Sequence, residues 1–94
     1  MPLGLTQIRK AFRTGQYRYS NHALDEMDDD GITDGDVIHA ILNGDVVATL
    51  TEDPRGTRFV VRGPASRVET EIEIVCRFLP SSTLRIITAY AIEE

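Results

Sequence analysis

The stretch Glu71-Ile72-Glu73-Ile74-Val75-Cys76-Arg77-Phe78-Leu79-Pro80-Ser81-Ser82-Thr83-Leu84-Arg85-Ile86-Ile87-Thr88-Ala89-Tyr90 decides the fold. Ile72, Ile74, Cys76 and Phe78 alternate with Glu71, Glu73, Val75 and Arg77, the period of two that a half-buried strand requires. Pro80-Ser81-Ser82 then turns the chain back, and a second apolar run follows. Strands joined by so short a turn pair antiparallel. If those turn residues are the whole loop, Arg77 faces Arg85, Ile74 faces Thr88 and Ile72 faces Tyr90. This register keeps the apolar sets together. It also sets two arginines opposite each other, which is unfavourable unless something neutralises them.

Working outward, Val46, Ala48 and Leu50 alternate in a first strand, and Asp53-Pro54-Arg55-Gly56 is a turn. A second strand runs from Thr57 to Arg62 and stops at Gly63-Pro64; the third and fourth run from about Glu69 to Leu79 and from Thr83 to Ile92. Before Gly44 the period is helical. Leu5, Ile8 and Phe12 mark a first helix over Leu3 to Arg13, with Arg9 and Arg13 on another of its faces and Gly15 as its stop. Tyr17-Arg18-Tyr19 reads as a connection whose tyrosines pack on the sheet or stack on bases. Ser20 caps a second helix with the stripe Ala23, Leu24 and Met27, ended by Gly31. Thr33 caps a third, with Asp36 in the place of a capping box, the stripe Val37, Ile38, Ile41 and Leu42, and Asn43-Gly44 at its close. Helices followed by consecutive strands predict an α+β fold: two to three N-terminal helices packed on one face of a four-stranded, mainly antiparallel sheet. The chain, 1–94, reads as a single domain, with a helical half at about 3–44 and a sheet half at about 45–92.

No apolar run approaches the length of about 18 residues that a membrane helix needs. The opening Met1-Pro2-Leu3-Gly4 lacks the charged start and apolar centre of a signal peptide, so a cytoplasmic location is expected. A lone cysteine, Cys76, excludes an internal disulfide and a site of paired Cys ligands, and its apolar neighbours Ile74 and Val75 predict burial. The net charge is −5, yet the charge is segregated. Seven acids lie between Asp25 and Asp36, and nine of the ten basic residues are arginine, whose planar fork suits phosphate.

Alternation sorts the arginines onto one face. With Phe59 and Val61 inward, Arg58 and Arg62 share a side of the sheet with Arg77 and Arg85. Four guanidiniums there are enough to bind adjacent phosphates and to stabilise charge on a transferring phosphoryl group. The alternative is pairing with Glu71 and Glu73, which are too few to neutralise all four. His22, in the first turn of the second helix, is the leading candidate for proton transfer, against a local bond to Glu26 four residues on. His22 and Glu26 alone are too few ligands for a metal, and no cofactor is expected. His39, on the third helix, is expected to be partly exposed, and the Tyr90 hydroxyl needs a partner if its ring is buried.

Ser20-x-His22-Ala23, then Asp30-Gly31-Ile32, Asp36-Val37, Ala40-Ile41 and Gly44, resembles the helical half of the family known as domain of unknown function 4258. Ile74-Val75-Cys76 with Leu84-Arg85-Ile86-Ile87-Thr88-Ala89-Tyr90 resembles its closing hairpin, so the likeness runs from about Tyr17 to Ile92. That family resembles the RelE-like ribonuclease toxins, including the motility-quorum-sensing-regulator type encoded beside a zinc-finger antitoxin. The resemblance implies a RelE-like fold and a toxin of a toxin-antitoxin system, a metal-independent endoribonuclease held inactive by an antitoxin-like partner. In that expectation His22 or Tyr90 moves a proton while Arg77 and Arg85 hold the scissile phosphate, and Arg58 and Arg62 bind RNA phosphates. The alternative is a module that docks RNA or a protein without cutting, and a weak homodimer is a further expectation. Where the family pattern carries arginine, this chain has Glu26 and Asp30, a departure that bears on whether it cleaves.

Overall fold

The second and third helices start where their caps place them. In the computed structural model, which describes residues 3–67 and 69–92, α1 spans Leu3–Thr14, α2 Asn21–Asp30 and α3 Asp34–Asn43. Met1 and Pro2 of the opening tetrapeptide lie outside the described residues. Ser20 Oγ accepts the Ala23 amide at 3.0 Å, and Gly31 closes α2 in the left-handed region at φ 66°. At α3 the capping box is complete: Thr33 Oγ1 accepts the Asp36 amide at 3.1 Å, and Asp36 Oδ2 accepts the Thr33 amide at 3.0 Å. Asp36 is buried and also accepts the amide and hydroxyl of Ser66, so the loop after Pro64 is pinned to the start of α3. These hydrogen bonds, Ser66's first, outweigh burial and lower the Asp36 carboxyl to about 2.

Gly44 ends α3 by a different route from Gly31. Its backbone is extended (φ −105°), so the missing side chain matters here, not left-handed freedom. A Cβ on Gly44 would overlap the carbonyl oxygen of Arg62, and one on Gly63 would overlap that of Ala40. The end of α3 therefore lies directly against the backbone of the sheet. Arg9 of α1 completes this end, donating from Nε to the Ile41 carbonyl at 3.0 Å and from Nη2 to the Gly44 carbonyl at 3.2 Å. A cation there also complements the negative end of the helix dipole.

Among the described residues the sheet has five strands where four were expected. They are β1 (Tyr17–Tyr19), β2 (Asp45–Leu50), β3 (Arg58–Pro64), β4 (Glu71–Phe78) and β5 (Leu84–Ala91), in the order β1-β5-β4-β3-β2. The last four form the expected antiparallel meander. The connection Tyr17-Arg18-Tyr19 is the fifth strand, pairing parallel to β5 with Tyr17 opposite Leu84, Arg18 opposite Arg85 and Tyr19 opposite Ile86. The helices cover one face, where Val61, Ile72, Ile74, Cys76, Leu84, Ile86 and Ala89 join Ile8, Phe12, Val37 and Ile41 in one core. Burial pushes the Cys76 thiol up to about 12, so it is an inert core group. Leu24 and Leu42, expected in buried stripes, are each 47% exposed. Among the described residues no helix is long and apolar enough to cross a membrane.

The β4–β5 register is correct at the turn and wrong beyond it. Arg77 does face Arg85, but Cys76 pairs with Ile86 and Val75 with Thr88, so Ile87 is an extra residue in β5. Past that bulge Ile74 faces Ala89 and Ile72 faces Ala91, in place of Thr88 and Tyr90. Tyr90 falls opposite Glu73, on the face the helices leave bare.

Two outcomes follow from this packing. Gly63→Ala should lose about 1–3 kcal/mol, read as a lower denaturant midpoint with unchanged slope, because neither backbone can retreat. Asp36→Asn should be destabilised near neutral pH. Its deficit against wild type should shrink as pH falls from about 4 toward about 2, since a lowered carboxyl contributes stability only while it is ionised.

Candidate nucleic-acid interface

The pleat fixes where the arginines go. Arg85 sits between buried Leu84 and Ile86, Arg77 between buried Cys76 and partly buried Phe78, and Arg18 between the partly buried Tyr17 and Tyr19. All three therefore project from the bare face. Register then aligns them: Arg18 is opposite Arg85, and Arg85 is opposite Arg77. Arg58, the residue before Phe59, which pairs with Cys76, extends the same row onto β3. Neighbouring strands are about 4.8 Å apart, so the row is a line of cations crossing the strands at right angles.

Its members differ in what they touch. Among the described residues neither Arg77 nor Arg85 has a hydrogen-bonding partner or a carboxylate within 4.0 Å. Arg18 rests Nη1 on its neighbour's carbonyl, Tyr17 O, at 3.5 Å. Arg58 lies with Nε 3.3 Å from Asp53 Oδ2, and Asp53 also holds Arg55. Arg62 donates from Nε to Glu73 Oε1 at 2.8 Å. The expected face is thus real for all four arginines, but Arg58 and Arg62 are already neutralised. Arg18 replaces them in the free set, and sequence reasoning missed it. The alternation aromatic, basic, aromatic at Tyr17-Arg18-Tyr19 was its signal, too short to read as a strand without a partner.

The candidate proton-transfer groups each have a carboxylate partner. Tyr90 donates its hydroxyl hydrogen to Glu73 Oε2. That bond, with the ion pair to Arg62, holds Glu73 below the ordinary glutamate range; the same bond, with burial, raises Tyr90. Tyr90, Glu73 and Arg62 are therefore one closed cluster. His22 is exposed (side chain 70%) with Nε2 3.5 Å from Glu26 Oε1, the local contact weighed from its spacing. The same Glu26 oxygen accepts the Thr88 hydroxyl at 2.5 Å and the Ala89 amide at 3.1 Å, and Asp30 Oδ2 accepts the Ala91 amide at 2.9 Å. These carboxylates, one helical turn apart, match edge amides two residues apart on β5, where β1 no longer covers it.

The remaining singled-out side chains have structural partners. Tyr17 stacks on Phe12 with ring centroids 4.1 Å apart and donates to Asp34 at 2.9 Å; Tyr19 donates to the same carboxylate at 2.5 Å. His39 is exposed, with Nδ1 2.9 Å from the Pro64 carbonyl oxygen. Among the described residues no group of three His, Cys, Asp or Glu side chains is placed to hold a metal ion. A depression of about 590 Å³ between α1 and the β4–β5 turn is lined by Lys10, Gln16, Phe78 and Leu79, and another of about 780 Å³ by Leu50, Asp53 and Arg58. Arg77, Arg85 and His22 line neither; Arg85 is exposed and Arg77 half-buried on the bare sheet face, a surface suited to an extended polyanion.

Tyr90→Phe should move the Glu73 titration upward, toward the ordinary glutamate value, because it removes the bond that most favours the ionised form. A carboxyl-carbon NMR titration reads this directly, and an unmoved midpoint would mean the Tyr90 bond does not hold Glu73.

No curated protein and no solved structure matches the chain. The family model described as domain of unknown function (DUF4258) matches residues 19–91, from the end of β1 through β5, and the chain belongs to that family.

Proposed function

We propose that this protein binds RNA along its phosphate backbone, as a toxin-like member of a toxin-antitoxin pair, with Arg18, Arg85 and Arg77 as the contact line. The observation that carries the reading is the aligned row with two guanidiniums lacking any carboxylate partner among the described residues. The close approach of Arg77 and Arg85 is unfavourable in the free protein, and an anion seated between them removes that repulsion. Arg58 and Arg62 are secondary, since each must exchange a carboxylate for a phosphate. The RelE-like fold and an antitoxin-like zinc-finger partner remain what the family resemblance implies.

Cleavage is the second reading, favoured by the exposed His22 imidazole beside Glu26. In that reading RNA supplies its own 2′-hydroxyl as nucleophile, His22 takes or returns the proton, and the arginine row holds the phosphate. No metal is required. Tyr90 has no free role in it, because its hydroxyl is committed to Glu73.

Single-stranded RNA in EDTA, titrated at several salt concentrations, tests both readings. Arg18→Ala, Arg77→Ala and Arg85→Ala should each weaken binding and each lower the salt slope by about 0.7–0.9, the share of one phosphate contact; Arg62→Ala should do less. If RNA is cut, His22→Ala should stop cutting and leave affinity unchanged. A wild-type protein that neither binds nor cuts RNA at low salt overturns the proposal.

A further inference from the structure

Register lays the bare face out in rows that cross the strands. The first is the arginine line. The next, two residues along β4 from Arg77, is Thr88, Val75, Val60 and Ala48, each opposite the one before it. Two residues further on come Tyr90, Glu73, Arg62 and Asp45, again opposite one another. Strand geometry puts Arg77 and Glu73, and so the outer rows, about 13 Å apart. The middle row is half-buried and has no donor to give: Val75, Val60 and Ala48 are apolar, and the Thr88 hydroxyl is donated to Glu26. A phosphate seated there would find no partner, whereas the flat face of a ring needs none.

The row beyond it has a different character. Glu73, its side chain only 13% exposed, accepts from the Tyr90 hydroxyl on Oε2 and from Arg62 Nε on Oε1. Arg62 is thereby held by one nitrogen. Its side chain is 51% exposed, and among the described residues Nη1 and Nη2 have no partner. Glu73 and Asp45 stand on either side of Arg62, so this row is net negative and disfavours a second phosphate. What it offers is a fixed pair of donors.

We infer, resting on the RNA reading proposed above, that Arg62 reads a guanine base of single-stranded RNA whose phosphate lies on the arginine line. Guanine presents two adjacent acceptors, O6 and N7, which a guanidinium fork meets bidentately; adenine sets an N6 donor beside N7, cytosine presents its N4 donor, and uracil only O4. With the phosphate on Arg77 or Arg85, the ring lies over Val75 and Val60 and turns its acceptor edge to Arg62. Arginine side chains leaning in from the two rows shorten the gap to the span of one nucleotide. The base is unpaired, because an A-form duplex hides that edge in a groove that side chains do not enter. Glu73 and Tyr90 are positioning residues: Glu73 holds the fork, and Tyr90 holds Glu73. Arg62 keeps its carboxylate throughout, so it adds base preference and not a phosphate contact.

Short oligouridines with one central guanine, inosine, adenine or 7-deazaguanine, bound to the whole chain in EDTA at low salt, test this. Guanine and inosine, which share O6 and N7, should bind about tenfold tighter than adenine, as one bidentate pair predicts. 7-Deazaguanine, which lacks N7, should lose most of that advantage. Arg62→Lys should bring the guanine-to-adenine ratio close to one, and Tyr90→Phe should lower it by loosening Glu73, both checked for folding by circular dichroism. Arg77→Ala should weaken every oligonucleotide by the same factor. A wild type that binds all of them equally overturns the inference and leaves the phosphate reading standing. A guanine preference that survives the loss of N7, or that survives in folded Arg62→Lys, does the same. A chain that binds none of them overturns both.

Discussion

A strand has two faces, and the core claims one of them. Fully burying an isoleucine or leucine side chain contributes about 1.5–3 kcal/mol, and β4 and β5 together bury Ile72, Ile74, Leu84 and Ile86. Placing Arg77 opposite Arg85 costs about 1 kcal/mol or less on an open, solvated sheet. Burial decides the contest, and repulsion between the guanidiniums is carried as a standing strain on the bare face. Every other feature of that face depends on this arrangement. Arg18 joins the line because Tyr17 and Tyr19 face inward, and Tyr90 joins Arg62 on Glu73 because the bulge at Ile87 sets Tyr90 opposite the residue that the β3–β4 register already pairs with Arg62.

Two kinds of interaction separate what was legible in the sequence from what was not. Local hydrogen bonding was legible: Ser20, Thr33 with Asp36, and Gly31 act within a few residues of themselves, and each does what its position predicts. So was the period of two, which put Arg58, Arg62, Arg77 and Arg85 on one face. Non-local pairing was not. Tyr17-Arg18-Tyr19 becomes a strand only through β5, some sixty-odd residues away, and a triplet has too little pattern to announce it. The Ile86-Ile87 pair gives no mark of a bulge, because both residues are apolar, so the register could be set only from the turn end. Neutralisation of Arg58 was hidden for a similar reason: Asp53 reaches it through the shape of a loop, not through strand spacing.

Glu26 and Asp30 show how one residue type serves two needs. The acidic run in α2 opposes the helix dipole at its C-terminal end, a local cost. Against that, two of its carboxylates accept the Ala89 and Ala91 amides where the sheet would otherwise end bare. A charge-assisted bond to an amide contributes about 1.5–3 kcal/mol, more than the dipole term takes away. An arginine in either place has no oxygen to offer these amides.

The parallel pairing of β1 with β5 joins the start of the chain to its end. During synthesis β1 leaves the ribosome early and has no neighbour until the final hairpin emerges. A product broken off before Leu84 keeps Arg18 and Arg77 but lacks the strand that lies between them. The line of cations is thus a property of the finished polypeptide alone, and fragments released along the way carry its pieces without its spacing.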